Sequence, residues 1–161
     1  MTYFDYEVPK DLVFRTVDIE RMRGLKCSAR LSAEDFENIL SAPNKIISAN
    51  VTLSFSISQK DILVQGTVEG KTRLECARCL EFFENDFSED FFETYSIKSE
   101  IIDIMSLVVQ TLALIEDIRF ICKEDCKGLC DECGQNRNKV SCSCTKESYS
   151  PFAVLKDKKK I

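Results

Sequence analysis

Six cysteines lie within one short stretch, CKEDCKGLCDECGQNRNKVSCSC from Cys122 to Cys144, in a chain that has no histidine. The residues between them are mostly Lys, Asp, Glu, Gly, Asn and Ser, so the stretch has too little apolar surface to order itself by burial. Sulfur has to supply the order, as disulfides or as metal ligands. The start of the chain, MTYFDYEVPKDLVFR, places acidic residues where a secretory leader needs a basic start and an apolar run, so a cytoplasmic location is expected. In a reducing compartment clustered thiols more often hold metal or do redox chemistry than form disulfides. Nine cysteines in 161 residues also leave one outside any even set.

The spacings sort the other eight. Cys130 and Cys133 form C-x-x-C and Cys142 and Cys144 form C-x-C, close enough in sequence for four thiolates to surround one tetrahedral ion, the pattern of a zinc knuckle. Gly134 suits a positive backbone angle after the second thiol, and Asn136 and Asn138 favour tight turns. Soft thiolates select zinc, and four protein ligands with no water position imply a closed structural site. Cys76 and Cys79, in LECARCLE, form a second C-x-x-C at the end of an expected strand, and Cys122 with Cys126 opens the distal cluster. The two pairs can meet if the intervening helix packs on the sheet. The alternatives are that Cys76 is a small buried apolar residue, and that Cys122 and Cys126 share one fluxional site with the distal thiols. Cys27 is the leftover and is expected to be inert packing.

Hydrophobic patterning outlines the rest. VTLSFSIS alternates, with Val51, Leu53, Phe55 and Ile57 on one face, and after Gln59-Lys60-Asp61 the period returns in Ile62, Val64, Val68, Leu74 and Cys76, predicting a hairpin. Phe83, Phe87, Phe91, Tyr95 and Ile97 predict a third long strand with an acidic outer side. Ser32 followed by Ala33-Glu34-Asp35 predicts a capped short helix carrying Phe36, Ile39 and Leu40. A mostly buried helix is expected from about Asp103 to Asp117, with Ser106, Gln110 and Asp117 as its polar line and Leu114, Ile115 and Ile118 among its buried residues. The expected architecture is α+β: an antiparallel β-sheet or partial barrel with a buried helix, spanning residues 1–120, and a Cys-rich zinc-knuckle module with a basic tail, spanning residues 121–161.

Several function classes are disfavoured. GTVEGKT resembles a phosphate loop but has three residues between its glycines, within an alternating strand, where the loop needs four and must open a helix. With no histidine as a general base, catalysis has little support and no small-molecule substrate is expected. The apolar run IMSLVVQTLALI is far shorter than the roughly 20 residues that cross a bilayer. The formal net charge is −5, unevenly placed: nine acids against Arg78 and Lys98 between Glu75 and Asp103, and seven bases against Glu147 and Asp157 from Arg137 onward. A basic end beside a knuckle suits phosphates, and an acidic strand suits a basic partner.

The words C-x-R-C-L (Cys76 to Leu80), D-C-K-G-L-C (Asp125 to Cys130) and C-G-x-N-x-N (Cys133 to Asn138), with SPFAVLK near the end, resemble the large ribosomal RNA subunit accumulation protein family, YceD. The resemblance runs from about residue 50 to 157. It implies a non-enzymatic ribosome-assembly factor whose partner is large-subunit ribosomal RNA or its precursor, and it points to Cys76, Arg78, Cys79, Lys127, Asn136 and Asn138. A metal-ordered knuckle would then present Arg78, Lys127, Arg137 and Lys139 to RNA, with Asn136 and Asn138 contacting bases or, by preference, closing their own turns. Two other classes stay open: a zinc-thiolate redox switch, and an adaptor whose acidic strand binds a basic ribosomal protein. Phe152, Val154 and Leu155 are expected to dock a short helix on the body.

Overall fold

The computed structural model describes residues 7–116 and 119–144, so the expectations for Asp117, Ile118, Lys146 and Phe152 to Leu155 fall outside it. Alternation builds the main sheet. In β3 (Lys45–Ile57) Val51, Leu53 and Phe55 are buried and Asn50, Thr52 and Ser56 are exposed, while β4 (Asp61–Glu75) buries Ile62, Val64, Val68, Thr72 and Leu74. The two form the expected hairpin, closed where the Ser58 N–H donates to the Asp61 carbonyl over 2.8 Å. The third long strand, β5 (Phe82–Ser96), pairs with β4 along its whole length, and β2 (Leu25–Leu31) completes an open antiparallel sheet in the order β2-β3-β4-β5.

Two glycines in β4 make room for neighbours. At the bulge in β3 between Ile46 and Ser48, a Cβ on Gly70 would overlap the Ser48 carbonyl oxygen, so only glycine lets the backbones approach. A Cβ on Gly66 would overlap the ring of Phe91, its partner on β5.

One face of the sheet is covered. The short β1 (Val13–Arg15) pairs with β6 (Ile101–Asp103) as a separate ribbon. Between them in sequence are α1 (Thr16–Arg21), which the sequence analysis did not anticipate, and a 3-10 turn, Ala33–Phe36. The turn is closed by reciprocal Ser32 and Asp35 caps, as expected, and it buries Phe36. The helix α2 (Ile104–Ala113) packs against β5 and β1, with Ile104, Val108 and Leu112 fully buried in the same core as Phe14, Phe55 and Val64. Each such side chain contributes about 1.5–3 kcal/mol by leaving water.

The helix is shorter than expected. It stops at Ala113, where the N–H groups of Leu114 and Ile115 turn to the carbonyls of Thr111 and Leu112, and Leu114 is 85% exposed instead of buried. Farther along, Phe120 lies at the far end of the β4–β5 hairpin, where its carbonyl accepts from the Ala77 N–H over 2.9 Å.

At its other end Asp103 caps α2, accepting from the Ser106 N–H over 3.1 Å and from the Ser106 hydroxyl. Those bonds, the hydroxyl first, hold the Asp103 carboxyl below its ordinary value. Because the folded value lies below the unfolded one, the cap stabilises fully above the ordinary carboxylate range and is lost as pH falls through the lowered value. Asp103→Ala is expected to cost about 1 kcal/mol at pH 7 in denaturant unfolding, with the difference from the parent protein vanishing in acid.

Candidate metal centre

Eight cysteines stand in two groups of four. The sulfurs of Cys76, Cys79, Cys122 and Cys126 lie within 4.8 Å of one another, and so do those of Cys130, Cys133, Cys142 and Cys144, so each group could hold a metal ion. All nine thiols are free, and Cys27, the predicted leftover, lies away on β2, where burial pushes its thiol up to about 11.

The first group joins distant parts of the chain. Leu74 closes the core at the end of β4, and the next inward position delivers Cys76. The turn of α2 back to the hairpin end brings Cys122 and Cys126 opposite, with Cys76 Sγ and Cys126 Sγ 3.8 Å apart and Cys79 Sγ and Cys122 Sγ also 3.8 Å apart. The convergence expected from packing the helix on the sheet is thus present.

The two C-x-x-C turns share one hydrogen-bonding design. In the first, the Leu80 N–H donates to the Cys76 carbonyl over 2.9 Å and the Cys76 N–H donates to the Glu81 carbonyl over 3.0 Å; in the second, the Gly134 N–H donates to the Cys130 carbonyl over 2.9 Å and the Cys130 N–H to the Gln135 carbonyl over 2.8 Å. Both need a left-handed residue after the second cysteine. Gly134 supplies it at φ +69°, as its position suggested, whereas Leu80 adopts φ +57° with a side chain.

Electrostatics within each group are in conflict. Burial would raise Cys76, yet the N–H groups of Cys122, Arg78 and Cys79 outweigh it and bring this thiol down to about 6, while burial and the three neighbouring sulfurs push Cys122 up to about 12. In the second group the Cys133 and Glu132 N–H groups bring Cys130 down to about 6, and the Cys133 thiol, followed by burial, pushes Cys144 up to about 12. Four sulfurs this close cannot all ionise against one another, and a divalent cation among them removes the conflict. The first group is the more enclosed: Cys76, Cys79 and Cys126 are buried and Cys122 half-buried, whereas in the second Cys130 is buried, Cys142 half-buried and Cys133 and Cys144 exposed.

The residues expected to face a partner divide in two. Arg78 donates from Nη1 to the carbonyls of Glu124 and Cys126, both at 3.1 Å, closing the loop that carries the distal ligands of the first group. Lys139 is paired with Glu81 at 2.6 Å. Asn136 and Asn138 close turns: Asn138 Oδ1 accepts from the Lys127 N–H, its Nδ2 donates to Cys126 Sγ and to Asn136 Oδ1, and Asn136 Nδ2 donates to Glu81. Lys127 and Arg137 instead line a recess of about 240 Å³ together with Cys130, Cys142, Cys144, Ser141, Asp131 and Glu132.

The junction glycine, Gly128, went unremarked in the sequence. It sits at φ +69°, where a Cβ would come within 2.9 Å of the Arg78 carbonyl oxygen, the group that accepts from the Leu129 N–H, so the chain between the two groups packs on the knuckle of the first. The signal was available in the word K-G-L between Cys126 and Cys130.

Residues 93–158, less than half of the chain, match the model of one protein family, described as Large ribosomal RNA subunit accumulation protein YceD. The span contains α2 and the six distal cysteines but not Cys76 and Cys79. No curated protein and no solved structure matches the chain significantly.

Proposed function

We propose that this chain, residues 93–158 of which match the large ribosomal RNA subunit accumulation protein family, is a ribosome-assembly factor that acts by binding and not by catalysis. Its two cysteine groups hold structural zinc, and its partner is large-subunit ribosomal RNA or a precursor.

The cysteine groups fit zinc on three counts. With a zinc–sulfur bond of about 2.3 Å, the edge of a regular tetrahedron is about 3.8 Å, the separation of the Cys76–Cys126 and Cys79–Cys122 sulfurs. Every donor is a thiol, and N–H groups point at sulfur, as the Cys122 N–H does at Cys76 Sγ over 3.4 Å. Zinc held this way supplies rigidity, since four protein ligands leave no position for substrate.

The observation that carries the RNA reading is the recess in which Lys127 and Arg137 flank the second cysteine group. Both are presented by segments with little freedom, Lys127 through its N–H on Asn138 and Arg137 through its N–H on the Gly128 carbonyl. A planar guanidinium and a mobile ammonium lining one recess suit phosphate oxygens, with Asp131 and Glu132 on the same lining to limit which phosphates they take. Arg78 and Lys139, already bonded inside the protein, set the shape of that surface.

The test is binding to large-subunit ribosomal RNA fragments across a salt series. The double variant Lys127→Ala and Arg137→Ala is expected to lower affinity about tenfold and to flatten the salt dependence by about two phosphate contacts, with metal content unchanged. Unaltered binding would remove the RNA role of this recess. The exposure of Cys133 and Cys144 favours a second reading, a redox switch. Repeating the titration after peroxide treatment decides it: joint loss of zinc and RNA affinity supports a switch, and retention of both excludes one.

A further inference from the structure

The long strand β5 has one backbone edge in use and one open. Fifteen residue pairs join it to β4 without a break, from Asp61 opposite Ser96 to Glu75 opposite Phe82. Across residues 82–95 the β5 backbone has no backbone partner outside β4 among the described residues. A strand of this length leaves about seven outward N–H groups and as many carbonyls, and side chains of the strand itself engage two backbone groups, Glu93 Oε1 the Thr94 N–H and Asn85 Nδ2 the Asp86 carbonyl. Exposed edges are ordinarily blunted by brevity, proline, a bulge or charged side chains, lysine above all. This edge is long, in unbroken register, and has neither proline nor lysine, so acidic charge is what guards it, and that guard repels acidic or like strands and not a basic one.

Its charge is one-sided. Glu84, Asp86, Glu89, Asp90 and Glu93 are all exposed, and the strand carries no basic residue. The acids occupy both faces, because Glu89 and Glu93 share the parity of the buried Phe87 and Phe91 while Glu84, Asp86 and Asp90 point to the open face. Lys71 meets Asp86 at 3.5 Å, but Glu84, Glu89 and Glu93 make no ion pair among the described residues. On the open face this acidic run is bracketed by two exposed aromatics, Phe82 at 46%, with the Arg73 guanidinium 4.7 Å from its ring centroid, and Phe92 at 78%.

We propose that β5 is a docking edge for an extended lysine- and arginine-rich segment of another protein, which adds to the sheet as a fifth strand beside β5. Main-chain hydrogen bonds along the open edge supply register-tolerant affinity, and alternate side chains of the incoming strand meet acids in the middle and aromatics at the ends. The same charges that attract this partner exclude a second copy of the chain, since pairing β5 with β5 sets five acids against five. The surface lies on the sheet and not in the knuckle recess, so the inference stands independently of the RNA reading.

The experiment titrates the full chain with an extended peptide of about nine residues, alternating lysine with threonine or valine. A twin with alternate backbone nitrogens methylated keeps the charge but cannot pair. The unmethylated peptide is expected to bind at least about tenfold more tightly than the twin, to slow amide exchange along β5, and to lose about tenfold in affinity in the variant Glu84→Lys with Asp90→Lys, which reverses charge on the open face and whose zinc content stays as in the parent. Equal binding of the two peptides would reduce the edge to a diffuse charge effect and overturn the proposal. Absence of binding, with β5 amides already slow to exchange in the free chain, would overturn it in favour of residues 145–161 or a second copy as the occupant.

Discussion

Chelating the metal at neutral pH is expected to unravel residues 119–144 while the four-stranded sheet keeps its fold. Within that segment the buried positions are Cys126, Gly128 and Cys130, and past Phe120, which packs half-buried on the sheet's core, little apolar surface is gathered there apart from the sulfurs themselves. What remains is a set of exposed or half-exposed bonds: Arg78 to the carbonyls of Glu124 and Cys126, the Leu129 N–H to the Arg78 carbonyl, and Lys139 to Glu81. Each contributes about 1 kcal/mol net, whereas ordering the backbone costs about 1–2 kcal/mol for every residue. Structural zinc contributes on the order of 10 kcal/mol or more per site, which is the scale needed to reverse that balance. The sheet has its own core in Phe14, Phe55, Ile62, Val64 and Leu112 and draws on no ligand. Hydrogen exchange read by segment checks this: protection between Cys126 and Val140 should collapse on chelation, and protection in β3 and β4 should not.

The second large effect concerns the strand that delivers Cys76. Gly70→Ala is expected to destabilise the chain by about 3 kcal/mol and to lower its melting temperature by about 10 °C. The new methyl group would meet the Ser48 carbonyl, which is backbone at a bulge and has no side-chain rotation with which to yield. Gly66→Ala meets only the far end of the Phe91 ring, a side chain that can shift where a backbone carbonyl cannot, so its cost should be about half as large. Thermal unfolding of the two variants side by side measures the contrast, and equal melting temperatures would show that the bulge accommodates the methyl group.

Much of this was readable in the residues because it depends on local rules. The inward parity of Ile62, Val64, Val68, Leu74 and Cys76 follows from the period of a strand, and the pairing of Cys130 with Cys133 and of Cys142 with Cys144 follows from spacing. The asparagine turns were legible for the same reason, since a short amide side chain reaches only its own loop. What depends on distant contacts was not. The ribbon of Val13–Arg15 with Ile101–Asp103 joins segments too short to show a period. The end of α2 at Ala113 carries no proline or glycine to announce it, and Leu114, Ile115 and Ile118 are apolar enough to continue the pattern. Leu80 hides the likeness of the two knuckles, because the left-handed position that advertises itself as Gly134 in one is occupied by leucine in the other. Arg78 and Lys139 look like free cations in sequence, and only the folded chain supplies the carbonyls and the carboxylate that engage them.

Metal stoichiometry on the purified chain, by elemental analysis of the native protein and of Cys76→Ser and Cys130→Ser, tests most directly whether two separate sulfur cages hold this molecule together. Two zinc ions in the native protein and one in each variant is the result expected. A single ion that survives Cys76→Ser and disappears with Cys130→Ser would contradict it, and would leave the Cys76, Cys79, Cys122 and Cys126 cluster as packing alone.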